Sequence, residues 1–181
     1  CPSCFGGLSP ITPPFCARCG VPFGHDQQVE AGLCPRCAAR LPAFREARAA
    51  LRYDAGAKRL ILPFKHADRT DLARPLARQM ARAGAVLLDR ADLIAPVPAH
   101  WRRLIGRRYD QAAQLARALG ALSGRPVWPD LLRRVRRTPP LADRGAAERS
   151  LVVAGAFALS RQGQDAVQGR VIFPNKDIDD V

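Results

Sequence analysis

All six cysteines lie in the first 37 residues, and they form three Cys-x-x-Cys pairs: Cys1/Cys4, Cys16/Cys19 and Cys34/Cys37. A Cys-x-x-Cys turn sets two thiolates at the spacing of a tetrahedral metal ion, and a second pair closes the site. Fourteen residues separate Cys19 from Cys34, a normal loop length for a ribbon-like module. The pattern predicts one zinc site built by Cys16, Cys19, Cys34 and Cys37. Such a site is structural, because four protein ligands leave no coordination position for a substrate.

The pair Cys1/Cys4 is left over, and the chain opens on Cys1 rather than on Met. We therefore expect a fragment in which this pair is half of a second zinc site whose other pair precedes residue 1. The alternative for the cysteines is a disulfide framework in a secreted module. The lack of a visible secretory signal and the long remainder without cysteine favour zinc.

The length and composition suit one α/β domain beside a small cysteine module. The chain has 181 residues, 48% of them hydrophobic, which is enough to bury a core. We expect a zinc-ribbon-like module over residues 1–45 and a second domain over residues 48–181. No apolar run is long enough to span a bilayer, so we expect a cytoplasmic protein without a membrane segment.

The chain is strongly basic, with a formal net charge of +13. All but three of its 29 basic residues are arginine, the exceptions being Lys58, Lys65 and Lys176. Arginine contacts phosphate through two hydrogen bonds, so an anionic partner is one interpretation, and a genome-wide bias toward Arg and Ala is the other. Residues 101–149 contain twelve Arg and four acidic residues, and this concentration favours a surface that faces phosphate.

After the cysteines, short apolar runs typical of strands alternate with segments whose apolar residues have helical spacing. This alternation favours a parallel sheet with ligands at the carboxyl ends of its strands. One expected helix carries Leu72, Leu76, Met80, Ala83 and Leu87 on a single face. A second carries Ala112, Leu115, Leu119 and Leu122 and ends at Gly124. The expected strands are residues 49–53, 92–97, 126–132, 151–159 and 171–173, the last interrupted by Pro174. Residues 138–150 are expected to form a mobile loop.

Near the C-terminus an apolar residue is followed by two carboxylates, Asp179 and Asp180. A strand that delivers two adjacent carboxylates is half of a site for phosphoribosyl diphosphate, in which the acids hold ribose hydroxyls and a magnesium ion. The other half would be a Thr/Gly loop whose backbone N–H groups bind the 5′-phosphate. The alternative is a solvated acidic terminus.

Several short motifs follow the cysteine pairs in a definite order. They are Phe64-Lys65-His66, Pro96-Val97-Pro98-Ala99-His100, Arg107-Arg108-Tyr109-Asp110-Gln111, Arg136-Arg137-Thr138, Gly155-Ala156-Phe157 and Asp179-Asp180-Val181. Each motif is short, but their order and spacing together resemble the ComF family over nearly the whole chain. ComF proteins combine a zinc module with a type I phosphoribosyltransferase fold and are linked to DNA uptake in competent bacteria.

The resemblance implies roles for individual residues. Asp179 and Asp180 match the catalytic acidic pair, which binds Mg²⁺ together with 5-phosphoribosyl 1-diphosphate. The residues that match phosphate-binding and pyrophosphate-binding positions are Pro98, His100, Arg102, Arg103, Arg107, Arg108, Arg136 and Arg137. The reaction implied is displacement of pyrophosphate at the anomeric carbon, with arginines stabilising the leaving group.

The sequence also departs from the family pattern. Residues 173–176 intrude before the acidic pair, and no Thr-Thr-Gly phosphate loop follows it. We therefore expect this chain to bind phosphoribosyl diphosphate weakly or not at all and to be inactive as it stands. The alternative function is a non-enzymatic, zinc-containing accessory protein that binds single-stranded DNA or a DNA-processing competence protein.

Overall fold

A computed structural model describes residues 6–24, 30–99, 110–139, 141 and 144–175 of the chain. A zinc-ribbon module with little regular structure comes first, and a region of mixed helices and strands follows. The ribbon contains a 3-10 turn, Glu30–Gly32, and a short helix α1, Pro35–Ala39. An isolated antiparallel bridge joins Phe15 to Pro22 on either side of the first cysteine turn.

In the part of the chain that the structure describes, four helices follow the ribbon, and aspartates cap the start of two of them. They are α2 (Ala55–His66), α3 (Ala73–Ala83), α4 (Ala85–Arg90) and α5 (Gln111–Ser123), with a 3-10 turn at Thr70–Leu72. Helix α2 begins after Asp54, whose carboxylate accepts a hydrogen bond from the N–H of Ala57 at 2.9 Å. Helix α5 begins after Asp110 in the same way and ends at Gly124, which has a φ of 70°.

Two strands form a small parallel sheet beside these helices. Strand β1, Leu93–Pro96, pairs with β4, Ile172–Asn175, in a register that runs from Leu93 opposite Ile172 to Pro96 opposite Asn175. A single parallel bridge joins Ile94 to Val127 on the other side of β1. All four residues of β1 are buried, as expected for a strand between two neighbours.

A second sheet is antiparallel and pairs β2, Leu132–Arg134, with β3, Phe157–Leu159. Helix α6, Ala146–Val153, lies between them in the sequence, and helix α7, Arg161–Ala166, follows β3. Leu131 and Leu159 pack with Leu93 and Ile172, so the second sheet covers one side of the first.

The apolar core lies between the helices and the parallel sheet. One cluster joins α2, α3 and α5 through Leu60, Phe64, Leu76 and Leu115. A second cluster joins α3, α5 and β1 through Ala77, Leu119 and Ile94. Helix α5 contributes to both clusters, which explains why the side chains along its inner face are buried.

The sequence prediction was right for one helix and one strand of this region and wrong for several short elements. Helix α5 and the parallel strand β1 lie where the periodicity predicted them. Residues 49–53 form only a single bridge, between Leu51 and Pro10. In residues 126–132 only Val127 makes a bridge, and the strand proper begins at Leu132.

Three further predictions need correction. The expected continuous helix from Leu72 is divided at Gly84 into α3 and α4, because glycine gives up more conformational freedom in a helix than other residues. The expected strand over residues 151–159 is helical as far as Val153, and α6 also occupies part of the expected loop. Pro174 does not interrupt its strand, because β4 continues through Pro174 to Asn175.

The phosphoribosyltransferase-like fold and the domain limits 1–45 and 48–181 stay predictions. In the residues that the structure describes, no helix is both long enough and apolar enough to cross a membrane.

Candidate functional site

Four cysteines of the ribbon meet in one compact cluster. The sulfur atoms of Cys16, Cys19, Cys34 and Cys37 all lie within 4.8 Å of one another. The Sγ atoms of Cys19 and Cys34 are 3.7 Å apart. A tetrahedral ion with Zn–S bonds of about 2.3 Å holds its sulfurs roughly 3.8 Å apart, so this spacing fits zinc. Cys19 is partly exposed and the other three are buried.

The first pair of ligands is held by a tight turn. The N–H of Gly20 donates to the carbonyl of Cys16 at 2.9 Å, and the N–H of Cys16 donates to Val21 at 2.8 Å. Gly20 has a φ of 73°, a left-handed conformation that favours glycine at the end of the turn. These bonds fix the direction in which the Cys16 and Cys19 side chains leave the backbone.

The second pair is held by helix α1. Cys34 is the residue before the helix, Pro35 occupies its first position, and the N–H of Ala38 donates to the carbonyl of Cys34 at 2.9 Å. Cys37 lies in the first turn of the helix. Cys34 and Cys37 therefore present their sulfurs from one rigid segment toward the turn of Cys16 and Cys19.

The cysteine thiols of the cluster differ in how easily they lose a proton. Burial opposes ionisation of Cys16, but backbone N–H groups of Cys19 and Cys34 lower the pKa of its thiol to about 6. The Cys34 N–H lies 3.3 Å from the Cys16 sulfur. Burial and the neighbouring sulfurs raise the pKa of Cys37 to about 12, and burial also raises the pKa of Cys19. Four thiolates this close together need a bound cation to balance their charge.

The donor set identifies the cation that fits. Four thiolates in a closed tetrahedral arrangement suit zinc, and such a site stabilises the fold rather than binding substrate. The alternative of a disulfide framework is wrong for these residues, because all four cysteines are free. The pair Cys1 and Cys4 lies outside the described residues, so its half-site stays a prediction.

The second candidate site is the edge where the parallel strands end. Pro98 and Ala99 follow β1, and the N–H of Ala99 lies 3.5 Å from a carboxylate oxygen of Asp110. The other oxygen of Asp110 accepts from the N–H of Ala113 at the start of α5, at 3.0 Å. Asp110 thus joins the segment after β1 to the beginning of α5. The predicted residues that lie outside the described part of the chain are His100, Arg102, Arg103, Arg107, Arg108, Asp179 and Asp180.

Arg136 and Arg137 are the two predicted phosphate-binding arginines that the structure describes, and their surroundings differ. The guanidinium of Arg136 donates to the carbonyls of Val152 and Ala154, at 2.9 and 2.7 Å. These carbonyls lie at the C-terminal end of α6, where helices favour a cation, so Arg136 has a structural partner. Arg137 is exposed.

Lys65, the basic residue of the motif Phe64-Lys65-His66, is buried in the helical region. Lys65 lies in the last turn of α2 and is 2% exposed. Its carbonyl accepts a hydrogen bond from the side-chain amide of Gln111 at 3.0 Å, and Gln111 is the first residue of α5. A buried lysine beside the start of α5 could not be identified from sequence, because burial depends on helices that are distant in the chain.

Among known proteins, the family that matches is the double zinc ribbon domain, and its model matches residues 1–38. This match agrees with the four-cysteine cluster, and the matched range also contains Cys1 and Cys4. No curated protein and no solved structure matches the chain.

Proposed function

We propose that this chain is a ComF-type protein that binds 5-phosphoribosyl 1-diphosphate at the edge formed by the carboxyl ends of β1 and β4. The observation that carries the proposal is the parallel register of these strands. Pro96 lies opposite Asn175, so the segments that follow them both leave from the same edge of the sheet. Ligands of parallel α/β sheets bind outside this edge.

The covalent chain limits how far the acidic pair can lie from this edge. Asp179 follows Asn175 by four residues, which span at most roughly 14 Å when fully extended. In the other segment, His100 likewise follows Pro96 by four residues. These lengths allow both halves of the proposed site to reach one ligand of the size of a sugar diphosphate.

The chemistry of these residues suits such a ligand. The carboxylates of Asp179 and Asp180 would hold the ribose hydroxyls and a Mg²⁺ ion, for which oxygen ligands are preferred. The segment between Ala99 and Asp110 contains Arg102, Arg103, Arg107 and Arg108, which would bind the diphosphate. Magnesium and arginine together would stabilise the charge of a leaving pyrophosphate.

Calorimetric titration of the chain with phosphoribosyl diphosphate and Mg²⁺ tests the proposal. We expect saturable binding, weaker than micromolar, that depends on Mg²⁺ held by the acidic pair. Asp179→Asn should weaken binding at least tenfold, since one charge-assisted contact contributes about 1.5–3 kcal/mol. Asp165→Asn is the matched control, because Asp165 is an exposed acid on α7 away from the acidic pair in sequence.

Equal affinity of the Asp179→Asn and wild-type chains would contradict the proposed site, and so would a complete lack of binding at millimolar ligand. The alternative, an accessory protein that binds single-stranded DNA, stays a prediction. Several described arginines already donate to main-chain carbonyls, among them Arg82 to Ala50 and Arg125 to Asp89. Fewer guanidinium groups are therefore available for phosphate than the net charge suggests.

A further inference from the structure

The segment of residues 46–52, which we call the connecting segment, joins the ribbon to α2 and pairs with the ribbon backbone. The N–H of Ala47 donates to the carbonyl of Arg18 at 2.8 Å. The N–H of Ile11 donates to Ala50 at 3.1 Å. Leu51 also forms an antiparallel bridge with Pro10. The ribbon thus meets the connecting segment at the cysteine turn and again near residue 10.

The Arg48 side chain joins this segment to the neighbours of the zinc ligand Cys16. Its Nη1 atom donates to the carbonyl of Ala17 at 3.0 Å, and Ala17 is the residue directly after Cys16. Its guanidinium also lies over the ring of Phe15, 4.9 Å from the centroid. Only 18% of the Arg48 side chain is exposed. Arg48 therefore contacts the residues on both sides of Cys16.

The cysteine turn lies close against the connecting segment at Gly20. A Cβ atom on Gly20 would lie 2.7 Å from the carbonyl oxygen of Ala47 and 3.1 Å from the Cα of Arg48. A shift of Gly20 toward the segment would therefore have to move residues 47 and 48 as well. A site of four thiolates and one Zn²⁺ is anionic, so a cation bonded to its turn also has a favourable charge.

The other side of the connecting segment is attached to the helices. Glu46 forms an ion pair with Arg90 of α4 at 2.9 Å, and it also accepts from Arg48 at 3.3 Å. Arg82 of α3 donates to the carbonyl of Ala50 at 3.1 Å. Leu51 packs against the cluster that contains the core residues of α2 and α3. The same seven residues thus contact the cysteine turn and three helices.

We propose that Arg48 positions the Cys16–Cys19 turn for zinc, and that the connecting segment couples zinc binding to the stability of α3 and α4. Arg48 lies eleven residues beyond Cys37 and outside the matched ribbon region of residues 1–38. Zinc binding in this chain therefore depends on residues beyond the ribbon motif. Coupling of this kind is reciprocal, so zinc stabilises the helices and the helices strengthen zinc binding.

The first experiment measures zinc affinity of the full chain by competition with a chromophoric chelator. Arg48→Ala should weaken zinc binding about tenfold or more, the usual effect of removing a group that orients a metal ligand. Arg48→Lys should rescue only part of this loss, because an ammonium cannot reproduce the planar set of donors. Arg40→Ala is the control for charge, since Arg40 is exposed on the ribbon, and its affinity should stay within about twofold of wild type.

Circular dichroism of the zinc-saturated variants verifies that each one is folded before its affinity is compared. Zinc affinity of Arg48→Ala equal to that of wild type would overturn the role of Arg48. A loss of the same size in Arg40→Ala would also overturn it, because the effect would then be one of net charge.

The second experiment measures the coupling through the thermal unfolding of the helices, with and without a zinc chelator. In the wild-type chain the chelator should lower the unfolding temperature of the helical signal. In Arg82→Ala, which removes the bond to Ala50 and leaves all the zinc ligands in place, the chelator should cause a smaller shift. An equal shift in both proteins, or no shift in the wild type, would overturn the coupling.

Discussion

In the zinc ribbon the buried side chains are mostly sulfur ligands, whereas in the helical region they are aliphatic and aromatic. The buried cluster of the ribbon consists of Cys16, Cys34 and Cys37, with Phe23 and Leu33 packed beside it. The clusters of the helical region are built from leucine, isoleucine, alanine and phenylalanine. The two regions therefore depend on different sources of stability, a metal centre in one and apolar burial in the other.

This difference determines how each region responds to a substitution or to loss of the metal. A closed four-thiolate site loses most of its stabilising energy at once when a single ligand or the metal is removed. Apolar burial is spread over many side chains, so each substitution removes only its own share. Substitutions that remove either the metal centre or the apolar contacts, but not both, can test this comparison.

Removal of zinc should have the largest effect. Structural zinc sites contribute roughly 10–16 kcal/mol of apparent binding energy, and the ribbon has few buried apolar residues to replace it. We expect one equivalent of zinc per chain for this site, and Cys16→Ser should lose it and unfold the ribbon. Metal analysis and the nuclear magnetic resonance signals of residues 6–24 are the measurements.

An intact second site at Cys1 and Cys4 would add to the zinc content, so the decisive value is the difference between wild type and Cys16→Ser. An unchanged zinc content in Cys16→Ser would show that the cluster is not the metal site. Ser160→Ala provides a control, since it removes a hydroxyl that caps α7 far from the cysteines in sequence and should leave the zinc content unchanged.

A cavity in the helical core should have the next largest effect. Leu60 and Leu62 belong to the same helix, but Leu60 is 4% exposed and Leu62 is 42% exposed. Leu60→Ala should lower the free energy of unfolding by about 2–5 kcal/mol, because it removes buried methyl groups and leaves a cavity. Leu62→Ala should change it by less than about 0.5 kcal/mol.

Urea unfolding followed by circular dichroism, at saturating zinc, measures both values. Equal effects of the two substitutions would mean that α2 does not pack through the face that contains Leu60. The zinc content of both variants should remain that of the wild type, because neither side chain contacts the cysteine cluster.

The comparison also explains how much could be predicted from the sequence. The four-cysteine cluster follows from local spacing, since each pair is fixed by a turn of a few residues. Helix α5 can be predicted from the helical spacing of its apolar residues and from Gly124 at its end. Strand β1 can be predicted from its continuous run of apolar residues. In these cases the signal lies within the element itself.

The incorrect predictions concern elements that depend on distant residues. Residues 151–153 are apolar and β-branched in part, yet they end a helix whose last carbonyls accept from Arg136. Pro174 was expected to break its strand, but it lies opposite Ala95 in the two-stranded parallel sheet, where the missing N–H can be tolerated. The burial of Lys65 and the contacts of Arg48 could not be predicted for the same reason, because the groups around them lie far away in the sequence.

The smallest effect should come from the ion pair that links the two regions. The hydrogen bond from Arg90, opposed in part by burial, lowers the pKa of Glu46 below its ordinary value. The folded protein therefore prefers the ionised carboxylate. The stabilisation is present above the ordinary carboxyl pKa and is lost as the pH falls through the lowered value. Glu46→Gln should reduce the unfolding temperature slightly at neutral pH and low salt.

The control for this last variant is an exposed ion pair between two residues that are close in the sequence. Asp71 binds Arg69 only two residues away, and both are largely exposed, so Asp71→Asn should leave the unfolding temperature unchanged. The difference between wild type and Glu46→Gln should shrink toward about pH 4 and also in about 1 M salt, where the pair is screened. Because both proteins carry the same zinc ligands, this difference isolates the carboxylate from the metal. A difference that persists at high salt and low pH would show that Glu46 acts through its shape rather than its charge, and that the two regions are joined by packing alone.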